Sequence, residues 1–366
     1  MSAAQLVSLT LALLAGAVTL LGLVIVMGRA LHRYRDRRNA RLSAGVRPLL
    51  LELIGGDSGE EVSEPLIRLA TLNRRVWRAV EPGAISLLAK VSGNARTALV
   101  RLLEQRGLAR DALRDLSRFS AVRRASAAHV LGMLGHAEAA LPLVRLLSDR
   151  NAEVRATAVR ALGQIGTAGA ASPIISMAGG RAPFQLVAQA LIRLGPGARP
   201  ALVEALSHDD PAARAVAVEV LGLTGAVETA GALVGVLAGD PSSDVQVRAA
   251  RALGRLGTPV CLNALIHATG PAHRYAVRVE AATALGDLGS PRAVPALRDL
   301  LADPRYHVAH SAARSLSRLG RPAAAALTET IAERAGTPAA SHAWEALALQ
   351  DLQAGRPLRL PEAAPR

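Results

Sequence analysis

The heptapeptide Arg251-Ala-Leu-Gly-Arg-Leu-Gly257 decides the fold, because six variants of it recur along the chain. They read His129-Val-Leu-Gly-Met-Leu-Gly135, Arg160-Ala-Leu-Gly-Gln-Ile-Gly166, Gln189-Ala-Leu-Ile-Arg-Leu-Gly195, Glu219-Val-Leu-Gly-Leu-Thr-Gly225, Thr283-Ala-Leu-Gly-Asp-Leu-Gly289 and Arg314-Ser-Leu-Ser-Arg-Leu-Gly320. Their final glycines lie 29 to 32 residues apart, a period that marks stacked helical hairpins, each burying its apolar face against its neighbours. The first helix of each hairpin carries apolar residues at helical spacing, as in Val154, Ala158, Leu162 and Ile165, repeated in Val245, Ala249, Leu253 and Leu256 and in Val277, Ala281, Leu285 and Leu288. The glycines after the leucines are expected to end that helix, since a left-handed residue costs glycine little. Pro142, Pro173, Pro200 and Pro295 are placed to open the second helices. In Asp210-Pro211, Asp240-Pro241 and Asp303-Pro304 the carboxylate is expected to cap a following helix that starts at the proline.

Working outward, apolar residues make up 51% of the 366-residue chain but aromatics only 2%. A core of Ala, Leu and Val suits close-packed helices and excludes an aromatic-rich β-sandwich. The single cysteine, Cys261, excludes an intramolecular disulfide and a cysteine-based zinc cluster, and its apolar neighbours assign it to packing. The formal charge of +14 rests on arginine almost alone, Lys90 being the only lysine.

Between Leu6 and Gly28 stand 23 residues without a charge. A helix of that length reaches about 34 Å, enough for a bilayer core of about 30 Å. Seven arginines follow, at 29, 33, 35, 37, 38, 41 and 47, against Asp36 alone. By the positive-inside rule this predicts a single-pass protein of the cell membrane, N-terminus outside and C-terminal domain cytoplasmic. The organisation expected is a transmembrane anchor over 1–28, a basic juxtamembrane segment and linker over 29–60, a helical solenoid over 61–335, and a C-terminal helix and disordered tail over 336–366. The helix is placed at Ser341–Leu352. Glu64–Val80 and Ala84–Glu104 have helical spacing without the leucine-glycine ending, and read as degenerate caps of the array, with Trp77 as cap filler.

The phrase Glu153-Val-Arg155, Ala158, Ala161-Leu-Gly163 and Gly166 resembles the HEAT repeat in its short bacterial form, the phycobilisome-lyase-type HEAT-like repeat, over roughly Leu66 to Ala335. The resemblance implies an all-α protein: an α-solenoid of HEAT-like hairpins, about seven clear repeats plus degenerate N-terminal caps, here preceded by one transmembrane helix. It also implies a ladder of inter-repeat Asp and Arg residues. The arginine falls on Arg124, Arg155, Arg214 and Arg278, whereas Phe184, Gln246 and Ala309 take its place elsewhere, so the ladder is expected to be interrupted.

The chain carries no nucleotide-binding glycine loop and no H-E-x-x-H. HEAT-repeat deoxyhypusine hydroxylases bind iron through His-Glu pairs, and none of the nine histidines here precedes a glutamate. No catalytic residue, metal or cofactor is expected, and His307 and His310 lack a carboxylate at ligand spacing. Of the +14, +6 lies in the flank after residue 28 and the remaining +8 is spread over the body. With few aromatic platforms, neither nucleic acid nor a small molecule is the expected ligand. The reading is a membrane-anchored cytoplasmic scaffold, not an enzyme, that binds a protein such as the cytosolic face of a membrane enzyme. A bilin-lyase-like enzyme or enzyme subunit is the alternative.

The binding surface follows from the register. With Val154, Ala158, Leu162 and Ile165 inward, Arg160 and Gln164 point away from the core, on the helix that lines the concave side of such solenoids. Carried through the repeats, these positions give His129, Arg160, Gln189, Glu219, Arg251, Thr283 and Arg314 for one row. The other row is Met133, Gln164, Arg193, Leu223, Arg255, Asp287 and Arg318. The partner-binding residues expected on this concave face are Arg160, Arg193, Leu223, Arg251, Arg255, Asp287, Arg314 and Arg318. Their arginines suit a protein partner with an acidic surface or segment, and residues 6–28 are expected to supply the membrane contact.

Overall fold

The computed structural model describes residues 44–55, 59–353 and 355, together with Gly16, Thr19, Leu20, Gly22, Leu23, Val26, Met27 and Arg29. Among the described residues no helix is long and apolar enough to cross a membrane. This overturns the expected single-pass localisation, N-terminus outside and body cytoplasmic; most of residues 6–28 lies outside the described residues. The chain divides into two units, at Arg114 and Asp115.

The first unit holds α1 (Arg47–Gly55), α2 (Gly59–Ala70), α3 (Arg74–Leu88), α4 (Gly93–Gln105) and α5 (Leu108–Asp115), which ends at the boundary. Leu50, Leu53, Leu69, Leu99 and Leu102 form its centre, where α1 packs on α2 and α4. The stretch Glu64–Val80, expected to be one helical segment, breaks between Ala70 and Arg74. Asn73 starts the new helix by accepting the Val76 N–H on its side-chain oxygen at 2.9 Å. Trp77 is buried, with the Arg106 guanidinium 4.5 Å above its ring. Arg106 Nη1 also donates to the carbonyls of Ala70 and Leu72, both at 2.9 Å, satisfying the free C-terminal end of α2. Burial raises the pKa of nearby Glu81.

The second unit is an all-α stack of two helix layers. The A layer comprises α6 (Ala121–Leu134), α8 (Ala152–Ile165), α10 (Phe184–Leu194), α12 (Pro211–Leu223), α14 (Ser243–Leu256), α16 (Tyr275–Leu288) and α18 (Tyr306–Arg318). The B layer comprises α7 (Ala140–Leu146), α9 (Ala171–Ile175), α11 (Arg199–Ala205), α13 (Ala230–Gly239), α15 (Pro259–Ala268), α17 (Val294–Leu300) and α19 (Arg321–Glu333). A final helix, α20 (Pro338–Gln353), packs on α18 and α19. Its buried Gln350 donates to the carbonyls of Leu316 and Gly320 at 3.1 and 3.2 Å, capping the end of α18. Each A helix packs on the next, and the core lies between the layers. Val154, Ala158, Leu162, Val245, Ala249, Leu253, Val277, Ala281 and Leu285 are buried there, as is Cys261.

The two glycines of each heptapeptide do different work. The last one, as in Gly135, Gly166, Gly257 and Gly289, adopts a left-handed conformation and caps the A helix. The first one, expected to end the helix, lies inside it. A Cβ on Gly132 would come within 2.7 Å of the Ala161 Cα, and one on Gly163 within 2.8 Å of the Ala190 Cα. These glycines let neighbouring A helices touch backbone to backbone, and the motif serves packing as much as termination. At α10 the place is taken by Ile192 and at α18 by Ser317.

Candidate functional site

Two sets of arginines leave the A helices, one towards the loops and one towards the exposed A face. The loop-directed set joins successive repeats. Arg214 on α12 donates from Nε and Nη2 to both oxygens of Asp240, at 2.7 and 3.0 Å, just ahead of α14. Its Nη1 holds the carbonyls of His208 and Asp209 at 2.8 and 3.0 Å, ahead of its own helix. Arg124 and Asp149 repeat this at 2.7 and 2.9 Å, and Arg278 and Asp303 at 2.9 and 3.2 Å. Such forked pairs are charge-assisted and geometrically specific. The Arg124 guanidinium holds the Asp149 carboxyl below its ordinary pKa.

The sequence places Asp240 and Asp303 as helix caps before proline, and only Asp210 acts so, accepting the Ala212 N–H at 2.9 Å. Asp240 and Asp303 likewise accept the N–H two residues on, from Ser242 and Arg305, but α14 and α18 start only at Ser243 and Tyr306, so these two carboxylates stand ahead of the cap position and face the previous repeat. Arg155 finds only a carbonyl in the next repeat, that of Arg181 at 3.1 Å, because Gly179 and Gly180 stand where an aspartate would be.

The A face carries the two expected rows. Among them His129, Arg160, Gln189, Gln164, Arg193, Leu223, Arg255, Asp287, Arg314 and Arg318 are exposed, and Glu219, Arg251 and Thr283 are half-buried. Met133 departs from the register: it is 7% exposed and belongs to the core. Arg248 of α14 lies 4.6 Å over the Phe184 ring of α10, two A helices away.

The charges on this face are largely matched from within. Arg251 donates to both oxygens of Glu280 at 2.9 Å, Arg255 meets Glu219 at 3.0 Å and Arg318 meets Asp287 at 2.6 Å. Arg248 also reaches Glu219, and Arg160 reaches Glu153, each at 3.4 Å. The expected rows held six arginines against two acids, and the structure supplies Glu280 and Glu153 from one or two turns earlier on the A helices. Arg193 and Arg314 are the row arginines that no described carboxylate meets.

Arg314 borders a cleft of about 500 Å³ between α16 and α18, which Tyr275, Val279, Thr283, His307 and His310 also line. Tyr306 stacks on His310 at 5.4 Å, and Tyr275 and Tyr306 are 53% and 61% exposed. Sequence reasoning passed over these tyrosines; the available signal was that both stand at the first position of an A helix. Among the described residues no group of three or more His, Cys, Asp or Glu side chains could hold a metal ion.

HEAT repeats match residues 108–195, 199–275 and 271–348. The chain belongs to the HEAT-repeat family. The match does not single out the phycobilisome-lyase type. No curated protein matches the chain. Similar solved structures include two substituted forms of Kap121p: one has a TM-score of 0.55 at 14% identity over 87% of this chain, the other 0.54 at 13% over 84%. The karyopherin Kap121p bound to the SUMO protease Ulp1p has a TM-score of 0.53 at 12% identity over 83% of this chain. These matches span 41% of the Kap121p chain, so the HEAT-repeat chain spans about two fifths of its neighbour's length. At such identities the likeness is one of fold.

Proposed function

We propose that this HEAT-repeat chain is a non-enzymatic scaffold that binds a protein partner on its A face, through an acidic surface or segment of that partner. The observation that carries the reading is the pair of exposed arginines, Arg193 and Arg314, left unmatched on a face whose other arginines have carboxylates. An exposed guanidinium is a forked donor for a partner's carboxylate. Leu223, 49% exposed between them in the stack, adds an apolar contact. The solved complex of Kap121p with Ulp1p is an instance of a protein of this fold holding another protein.

The test is crosslinking of the tagged full-length chain in cell extract, with mass spectrometry, comparing three forms. Wild type and the B-layer control Arg145→Glu are expected to capture the same partner. The A-face double variant Arg193→Glu/Arg314→Glu is expected to lose it while melting at the wild-type temperature. Loss with the control and retention with the double variant would place the contact on the other layer and end the proposal.

A further inference from the structure

The geometry points to the cleft between α16 and α18 as a receptor for one carboxylate of the partner, an Asp or Glu flanked by an aromatic or aliphatic residue. This rests on the protein-binding role proposed above and narrows it to one site.

Three observations converge there. The first is charge: none of the residues lining the cleft is Asp or Glu, and Arg314 has no described ion pair. Arg318, one turn further along α18, is held by Asp287 at 2.6 Å and also lies 3.3 Å from Ser315 Oγ. The lining His310 meets Glu345 at 2.7 Å, so among the lining residues Arg314 is the cation that no described carboxylate meets, and it sets the sign of the site.

The second is the floor. Thr283 and Ser311 both donate to the Val279 carbonyl, at 2.9 and 3.2 Å, and touch each other at 2.8 Å. Their protons are spent within the fold, so an incoming carboxylate is directed to Arg314.

The third is the rim. In a chain with 2% aromatic residues, Tyr275 and Tyr306 stand exposed beside the cleft, with the Arg305 guanidinium 5.9 Å over Tyr275. Tyrosine and arginine together dominate binding energy at protein interfaces, because they bury large rigid surfaces and keep a polar end. The rim thus favours a planar or aliphatic side chain next to the acid.

A nucleic-acid strand fits this site poorly. Its evenly spaced phosphates call for a series of free cations, whereas the neighbouring Arg251, Arg255 and Arg318 are already neutralised.

The probe is an array of ten-residue peptides, each with a single Glu or Asp flanked by every pairing of aromatic and aliphatic residues, beside twins with Gln or Asn. The full-length chain is expected to retain acidic peptides over their amide twins by about tenfold or more, the loss of one charge-assisted contact. Arg314→Gln should abolish that preference, and Arg145→Gln, on the B layer, should keep it. Peptides held equally in acid and amide form, or an acid preference that survives Arg314→Gln, would overturn the inference. The crosslinking assay separates this failure from the broader one. A partner kept by Arg314→Gln but lost with Arg193→Glu leaves the A face as the binding surface and removes the cleft. A partner kept by both variants removes both.

Discussion

The Cα of Ala252 on α14 lies 2.8 Å, and its Cβ 2.6 Å, from the place where a methyl group on Gly222 of α12 would stand. Exchange to alanine in a helix interior ordinarily helps by about 1 kcal/mol, but here the backbone of the next repeat is in the way. Gly222→Ala should cost about 1 to 3 kcal/mol as overpacking. Gly231→Ala, in α13 with nothing within 4 Å of the new methyl, should stabilise by about 0.5 to 1 kcal/mol. Urea melts of both variants decide the matter, and a stabilised Gly222→Ala would refute the contact role.

Arg214 and Asp240 are 10% and 3% exposed at their side chains, so removing one leaves the other's charge in poor contact with water. Arg214→Ala should lower stability by about 3 to 5 kcal/mol. Arg255→Ala, whose pair with Glu219 is 39% exposed on the arginine side, should change it by about 1 kcal/mol or less. Equal losses in denaturant titrations would contradict the distinction between loop and face arginines.

Asp149 supplies a pH test. Its carboxyl titrates lower in the fold than in the unfolded chain, chiefly through the hydrogen bond from Arg124. The stability this gives is present above the unfolded carboxylate pKa of about 3.9 and disappears as pH falls through the lower folded value. Asp149→Asn should therefore be less stable than wild type at pH 7, with the difference shrinking below about pH 4. A difference independent of pH between 3 and 7 would show that the pair's charge contributes nothing.

Leu221, 1% exposed on α12, is a core leucine by register and by structure. Leu221→Ala should cost about 2 to 5 kcal/mol, read by thermal melting; a change under about 0.5 kcal/mol would mean that the site collapses around the smaller side chain.

The period of the stack was legible because the capping glycines Gly135, Gly166, Gly257 and Gly289 recur with every hairpin. The inward face was legible because Val154, Ala158 and Leu162 recur at helical spacing, and both signals are local. What lay beyond the sequence concerns neighbours 25 to 36 residues apart. Gly132 and Gly163 look like helix ends until Ala161 and Ala190 are seen against them. Asp240 looks like a cap until Arg214, 26 residues earlier, is seen to hold it. The acid-accepting face was overestimated for the same reason, since Glu280 sits one turn from the expected row and reaches Arg251 across 29 residues. The tyrosines of the cleft were visible as residues, but their meeting at one rim depends on how α16 and α18 stand side by side.

The interruptions of the ladder also have a mechanical meaning. Phe184 occupies the arginine place on α10, and Ile192 occupies the contact-glycine place on the same helix, so the joint from α10 to α12 lacks both fastenings that α12 makes to α14 through Arg214 and Gly222. The stack is then a spring with a compliant coil at α10, stiffer towards α12 and α14. A load along its axis, or a partner that changes its pitch, bends it at that coil, and amide exchange under native conditions should be faster across residues 184–210 than across 211–256.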